Sequence, residues 1–455
     1  MCGMNAVLRL LLTGLLLPVV LQAADGKPNI VFILVDDLGW ADVGFHGGKV
    51  PTPHLDKLVH EGVELTHHYV APVCSPTRSS LLSGRYWSRF GVTAPQAERA
   101  FPWETVTLPR ALKTIGYESA LTGKWHLGSK PEWGPLKFGF DHSYGSLGGG
   151  VGPWNHRYKQ GPFTNTWHRD DVLIEEEGHA TDLITHDATQ WIAGRGDKPF
   201  FLYVPFTAVH IPIREPEAYV QRVAAAITDE TERHYAACII HMDESVGKLA
   251  EALEKAGKRD NTLIIFSSDN GGVQTGNADR QYPRDNYPPG RVNGNNQPLH
   301  GNKADVYEGG IRVPAFVNWP AKLKPGKLDA PIHIADWMPT LCALTGSTPA
   351  QGLKWDGQNV WPLISGKEKA QPRTLYWTGP NFRSRALREG DWKLVSLEKG
   401  KEPKVELYDL ATDPNEANDL AAQNPEKVKS LIARMADVAR ADNDAKVDNG
   451  PEVKE

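Results

Sequence analysis

The sequence predicts an α/β fold: a large doubly wound mixed sheet flanked by helices, followed by a small antiparallel sheet with a helix. Three observations predict it. Apolar runs of strand length alternate with helix-period segments, several of those runs end in polar residues, and beyond about Gly366 the pattern changes to short alternating segments.

The first strand is Asn29-Ile-Val-Phe-Ile-Leu-Val35, a continuous apolar run rich in β-branched side chains that suits burial on both faces of a parallel sheet. It ends in Asp36-Asp37. Thr107 to Gly116 reads as a helix opened by Thr107, with Pro109 in its first turn and Gly116 at its close. A strand into Lys124-Trp125-His126 follows, and Phe200 to Val204 is a further strand leading to a loop with His210. Between Thr228 and Gly257, Tyr235, Ile239, Met242, Val246, Leu249 and Leu253 recur at three- and four-residue spacing, which marks an amphipathic helix. Leu263 to Phe266 is a strand that runs into Ser267-Ser-Asp-Asn-Gly-Gly272. Ligands of such sheets collect outside the carboxyl ends of the strands, where Asp36, Asp37, Asp269 and Asn270 fall. Gln274 to Asn302 has no clear period and reads as a long functional loop. Thr374–Trp377, Trp392–Val395 and Glu406–Tyr408 predict the small sheet, and Pro425 to about Arg440 a last helix before a mobile polar tail. The expected division is 1–24 export signal, 25–365 catalytic domain and 366–455 C-terminal subdomain.

With 455 residues, 40% hydrophobic and 23% charged, the chain has the composition of a soluble globular enzyme. A net charge of -5 excludes a general nucleic-acid binder, which needs basic residues to displace phosphate counterions. Arg9, the apolar run Leu10 to Leu21, and Ala23-Ala24 read as a cleavable signal, which predicts a periplasmic or secreted protein. The run is short for a membrane span, and Cys2 precedes it, so no stable membrane anchor is expected. Removal of the signal leaves Cys74, Cys238 and Cys342, an odd count in a disulfide-forming compartment. Cys238 and Cys342 sit among apolar neighbours as packing residues. Cys74 does not.

Cys74 opens Cys-Ser-Pro-Thr-Arg78, followed by Ser80-Leu-Leu-Ser-Gly-Arg85. Pro76 fixes a turn after the cysteine, and Arg78 places a permanent cation beside it. Together with Asp36-Asp37, Gly123-Lys-Trp-His-Leu-Gly128, Val209-His-Ile-Pro212, Ser268-Asp-Asn-Gly-Gly272, Gly301-Asn-Lys303 and Glu308-Gly-Gly-Ile-Arg-Val-Pro314, this segment resembles the type I sulfatases of the alkaline-phosphatase-like superfamily.

The resemblance implies oxidation of Cys74 to formylglycine by a formylglycine-generating or radical-type maturing enzyme, and hydration of the aldehyde to a geminal diol. It assigns Asp36, Asp37, Asp269 and Asn270, with the modified Cys74, to one calcium ion. Those four side chains are a hard all-oxygen set that suits calcium, suits magnesium less well, and does not suit zinc. By the same resemblance Lys124 and Lys303 hold sulfate oxygens and Arg78 supports the diol. Asp269 takes a proton from the attacking hydroxyl, His210 with Lys303 serves the leaving group, and His126 deprotonates the second hydroxyl so that sulfate leaves by elimination.

Within the family the chain is most similar to the arylsulfatase B-like N-acetylgalactosamine-4-sulfatases, through stretches such as Phe138-Gly-Phe-Asp141 and His333-Ile-Ala-Asp-Trp-Met-Pro-Thr340. The expected substrate is a sulfated carbohydrate, with the 4-O-sulfate of a galactose-type sugar favoured and related 6- and 3-sulfates left open. One departure bears on this: Asn296-Gln-Pro-Leu-His-Gly301 carries His300 where the family pattern has arginine. Candidate sugar contacts are Trp154, His156, Arg157, Trp167, His168 and Arg169, joined by Asn381 and Arg383. The competing readings are a phosphonate or phosphodiester hydrolase of the same superfamily, and a noncatalytic protein that binds sulfated glycans.

Overall fold

The computed structural model describes residues 26–277, 279–349, 352–398 and 402–449. The expected export signal lies outside them. Ten strands form the main sheet: β1 (Asn29–Val35), β2 (Val63–Leu65), β3 (Glu118–Lys124), β4 (His142–Ser146), β5 (Trp167–Arg169), β6 (Val172–Leu173), β7 (Phe200–Pro205), β8 (Thr262–Ser268), β9 (Ala315–Asn318) and β10 (Gly326–Leu328). Their order is β10-β2-β9-β8-β1-β7-β3-β4-β5-β6. The central five, β8-β1-β7-β3-β4, are parallel, and β9 and β5 join antiparallel on either side, which makes the sheet mixed as expected.

The apolar run of β1 is continuous because both sides of the strand are covered. Ile30, Phe32 and Leu34 enter one core with α2 (Cys74–Ser83), α3 (Leu108–Lys113) and α6 (Trp337–Thr345). Val31, Ile33 and Val35 enter the other with α1 (Pro53–His60), α4 (Ala180–Ala193) and α5 (Glu230–Lys255). In α5 all six residues of the expected apolar face are buried, and the Asp229 side chain caps the Glu232 amide. Thr107 stands at the N-cap of α3, but its hydroxyl bonds the Phe138 carbonyl rather than the helix. No helix among the described residues is long and apolar enough to cross a membrane.

The segment expected to be one long loop contains a short antiparallel ladder, Gln274–Gly276 with Arg291–Asn293. The small sheet has four strands, β11 (Thr374–Thr378), β12 (Ser384–Glu389), β13 (Trp392–Leu397) and β14 (Lys404–Asp409), with α7 (Pro425–Ala439) packed on it. β12 was not marked by the sequence because its charged residues, the half-buried Arg385, the buried Arg388 and the exposed Glu389, interrupt the apolar pattern of the buried Ala386 and Leu387. The small sheet abuts the segments flanking Cys74: Trp377 donates to the Val70 carbonyl at 3.1 Å, and Trp87 donates to Thr378 Oγ1 at 2.7 Å. Beyond α7 the described chain is joined to the rest of the fold by hydrogen bonds as far as Asn449. Asn443 and Ala445 amides bond the Ser88 and Arg89 carbonyls, Asp444 pairs with Arg85 at 2.8 Å, and Asn449 bonds the Arg99 carbonyl.

Candidate active site

The parallel strands bring their carboxyl ends to one edge, and the polar residues that follow them converge there. Cys74 is the first residue of α2, buried, with the positive end of the helix directed at it. All ten residues of α2 are buried, and two of its hydroxyls tie the helix to residues that follow the strands: Thr77 Oγ1 donates to the Asp269 carbonyl at 2.6 Å, and Ser75 Oγ to the His126 carbonyl at 2.8 Å. Cys74 Sγ, at the position the modified residue's oxygen would take, lies 3.2 Å from His126 Nδ1. Cys238 and Cys342 are buried free thiols.

Around Cys74 three carboxylates meet three permanent cations. Arg78 bonds Asp269 Oδ2 and the Lys124 carbonyl, both at 2.7 Å, and lies 3.8 Å from Asp36. Lys124, fully buried, bonds Asp36 Oδ2. Lys303 reaches Asp37 Oδ1 at 2.6 Å, and the Asn270 amide donates to the same oxygen at 2.7 Å. Asp36 Oδ1 and Asn270 Oδ1 are buried without a hydrogen-bond partner among the described residues. Such orphaned acceptors are costly unless a cation takes them. The donor set therefore fits a hard divalent ion, which Asp36, Asp37, Asp269 and Asn270 would hold.

The electrostatics agree. Burial raises Asp269 first and Asp36 beside it second, to about 7. For Asp36 burial is outweighed by Lys124, His210 and Arg78, which hold it well below the usual range. Two carboxylates facing one point share protons until a cation separates them. Burial, then Lys124 and Arg78, pushes His126 well below the ordinary histidine range, and its Nε2 is buried without a partner among the described residues. Burial, then Lys303, lowers His210 to about 4; its Nδ1 faces the Ile211 carbonyl and its Nε2 lies 3.7 Å from Asp37. Burial also raises the Cys74 thiol.

Asp37, His126 and Ala304 adopt left-handed backbone angles, at φ 63°, 56° and 77°, each at or beside a group of the site. The Gly148–Gly150 run has a steric cause: a Cβ at Gly149 would lie 2.6 Å from the Tyr158 ring, and one at Gly150 would overlap the His210 ring. Tyr158 packs edge-on to His126, with centroids 6.1 Å apart, and Tyr282 packs on Tyr158. Neither tyrosine was singled out from the sequence, and only their place in the long insert and the loop hinted at them.

The expected sugar contacts divide. Trp154, His156, Arg157 and Trp167 gather around one cavity. His168 does not: it is fully buried, with one ring nitrogen against Ser143 Oγ and the other 2.7 Å from the Gly145 carbonyl, so it packs the sheet instead of meeting a sugar. Arg169 lies over Tyr144 and pairs with Asp187 at 2.7 Å. His300 is exposed and stacks on Tyr307 at 4.1 Å, three residues from Lys303. Asn381 and Arg383 are exposed on the turn between β11 and β12.

Comparison with known proteins agrees with this geometry. The Sulfatase family model matches residues 28–347, and a model described as N-sulphoglucosamine sulphohydrolase, C-terminal, matches residues 300–441. The chain is 31% identical to arylsulfatase J of Mus musculus, with 91% of this chain and 76% of the relative covered. It is 32% identical to N-acetylgalactosamine-6-sulfatase of Homo sapiens, with 80% and 71% covered. Among solved structures, Ps i-CgsB in complex with k-i-k-neocarrahexaose is similar at a TM-score of 0.79 and 29% identity, covering 91% of this chain and 93% of that one.

Proposed function

The chain belongs to the sulfatase family and is a sulfuric ester hydrolase acting on sulfated glycans; from that premise we propose that it removes sulfate from a galactose-type sugar with formylglycine at Cys74 and calcium as cofactor. The observation that carries this reading is the convergence of Cys74 and His126, at 3.2 Å, inside a set of three carboxylates and three cations. Modified Cys74 would supply the nucleophile, and calcium would add positive charge where sulfate oxygens gather.

The remaining work falls to the chain's own side chains. Lys124 and Lys303 place fixed charge on the bound sulfate, and because Lys124 is fully buried that charge acts in a poorly screened site. Arg78 holds Asp269 and the Lys124 carbonyl, which fixes the carboxylate and the backbone beneath the nucleophile. His126 is kept neutral by burial and neighbouring cations, and is therefore ready to accept a proton at the Cys74 position. His210 is depressed by burial and by Lys303; an incoming sulfate screens that cation, which moves the ring toward the range in which it can protonate a departing alkoxide.

For the position of the sulfate, the similarity of the sequence to 4-sulfatases favours the 4-O ester, while relatives are named for the 6-O ester of N-acetylgalactosamine. The test is sulfate release from paired 4-O- and 6-O-sulfated galactose and N-acetylgalactosamine, with calcium and a maturing enzyme supplied. Absence of release from every galactose-type sugar would overturn the substrate proposal. Faster cleavage of a phosphodiester would favour the phosphodiesterase reading, and binding without turnover by chain whose Cys74 is unmodified would favour a glycan-binding role. Mass spectrometry of the Cys74 peptide decides the modification. The apolar run within residues 1–24 supports export to the periplasm or medium.

A further inference from the structure

Beside the catalytic site lies a cavity of about 460 Å³ whose lining includes Trp154, Arg157, Asn165, Trp167, Leu173 and Glu175. A short stretch of chain joins it to the site. Gly150 passes beneath His210, and Trp154 follows four residues later, at most about 14 Å along the chain. The Trp154 indole donates to the Arg214 carbonyl at 2.9 Å, which fastens it to the segment that continues from His210.

The floor is preformed. His156 stacks on Trp167 at 4.5 Å, and the Trp167 indole donates to Glu176 at 2.6 Å, while Glu176 also accepts the Tyr144 hydroxyl. The rim is open. Arg157 is half exposed and Glu175 is 87% exposed, and they face each other at 3.9 Å. A pair so screened is worth little, so its donors and acceptor can exchange for those of a ligand at small cost. Leu173 stands 43% exposed beside them.

An aromatic floor, an apolar edge, a guanidinium, an amide and a carboxylate are the groups that meet a sugar ring: apolar carbon faces below and hydroxyls at the margin. The charge balance selects among sugars. Glu175 and Glu176 line the cavity against the single cation Arg157, so a ring with its own sulfate or carboxylate meets net repulsion. We propose that this cavity is a second subsite that holds an uncharged hexose or N-acetylhexosamine ring of the glycan bearing the scissile sulfate. The proposal rests on the sulfatase reading and adds that the substrate is an oligosaccharide whose neighbouring ring is unsulfated.

The test compares kcat/KM for three substrates: a sulfated monosaccharide, the same sugar in a trisaccharide with unsulfated neighbours, and that trisaccharide with a sulfated neighbour. Wild type should prefer the first trisaccharide by at least about tenfold over both others, equivalent to roughly 1.4 kcal/mol. Trp154→Ala should reduce its advantage over the monosaccharide by about tenfold. Glu175→Lys, a change at an exposed site, should shift preference toward the sulfated neighbour. Equal efficiencies in wild type, or ratios unmoved by both variants, would overturn the subsite. If wild type cleaves no sulfate ester, the sulfatase reading fails separately. Calorimetric titration of the desulfated trisaccharide then decides the subsite, which is overturned if wild type and Trp154→Ala bind alike.

Discussion

Replacing Lys393 with methionine should cost about 3–5 kcal/mol of stability, the penalty for stripping the cation from a buried ion pair. Lys393 rises from β13 into the contact between the small sheet and the loop of Lys303. Its Nζ lies 2.8 Å from Glu308 Oε1 and 2.7 Å from Glu416 Oε1, and all three side chains are fully buried. Glu308 also accepts the Tyr69 hydroxyl at 2.8 Å, and Glu416 Oε2 accepts the Glu308 amide at 2.6 Å. For Glu308 burial is outweighed by Lys393 and Arg312, and its pKa stands at about 2. Its contribution is therefore present above the unfolded value of 4.5 and fades as pH falls toward 2. Glu416 is raised to about 7 by burial and by Glu308, so its contribution is full below 4.5 and is lost as pH rises through 7. Without Lys393, Glu416 loses its cation and Glu308 keeps only the arginines Arg312 and Arg388, so Glu416 must take up a proton to fold and the penalty grows with pH. Urea unfolding of wild type and Lys393→Met at pH 5 and pH 8 should show the larger deficit at pH 8. A deficit below about 1 kcal/mol, or an equal deficit at both pH values, would refute the reasoning.

Three further outcomes follow from the geometry. Gly150→Ala places a methyl group in the space of the His210 ring and should lower kcat by about a hundredfold, the scale of a 1 Å misplacement, with thermal stability little changed; steady-state kinetics on a sulfated sugar checks it. For His241 burial is outweighed by bonds to Asp182 and Glu215, which raise it to about 9, so its stabilisation is full below 6.5 and is lost as pH rises through 9. The melting temperature of wild type should thus fall between pH 7 and 9.5 more steeply than that of His241→Gln. Chelation should lower the melting temperature and calcium should restore it, with about 2.7 kcal/mol gained at a hundredfold excess over Kd. Asp36→Asn should blunt that response, and a melting curve indifferent to chelator would count against the ion.

The sheet centre was legible because strands covered on both faces leave continuous apolar runs, and β1, β7 and β8 carry them. β4, His-Ser-Tyr-Gly-Ser, carries none: its buried Ser143 and Ser146 are satisfied by hydrogen bonds to His168 and Thr166, so polarity gave no hint of burial. The same pairing explains why His168 was misread. In β5 Trp167 and His168 are both buried while Arg169 is exposed, and a sequence cannot say that a histidine has a serine waiting across the ladder.

The site separates in the same way. In a parallel sheet the carboxyl ends of all strands lie at one edge, so a polar residue directly after an apolar run is placed by topology alone. That rule brings Asp36, Asp37, Asp269 and Asn270 together before any side-chain contact is known. Lys303 obeys no such rule. It stands 266 positions from Asp37 on a loop, with no strand ending directly before it, and motif likeness alone marked it. The structure supplies the reason it arrives: the Lys303 amide bonds the Gly272 carbonyl, the Ala304 amide bonds Pro72, and Gly271 bonds Gly310. These three backbone bonds bind the loop to the turn after Asn270 and to the segment before Cys74. Glu308 then secures the loop from behind through Lys393, 85 positions away on the small sheet. A buried lysine in a strand of alternating pattern reads as a solvent-facing residue until its two carboxylates are located. The small sheet therefore belongs to the active site as its support, and the energetic link between them is the one that removal of Lys393 measures.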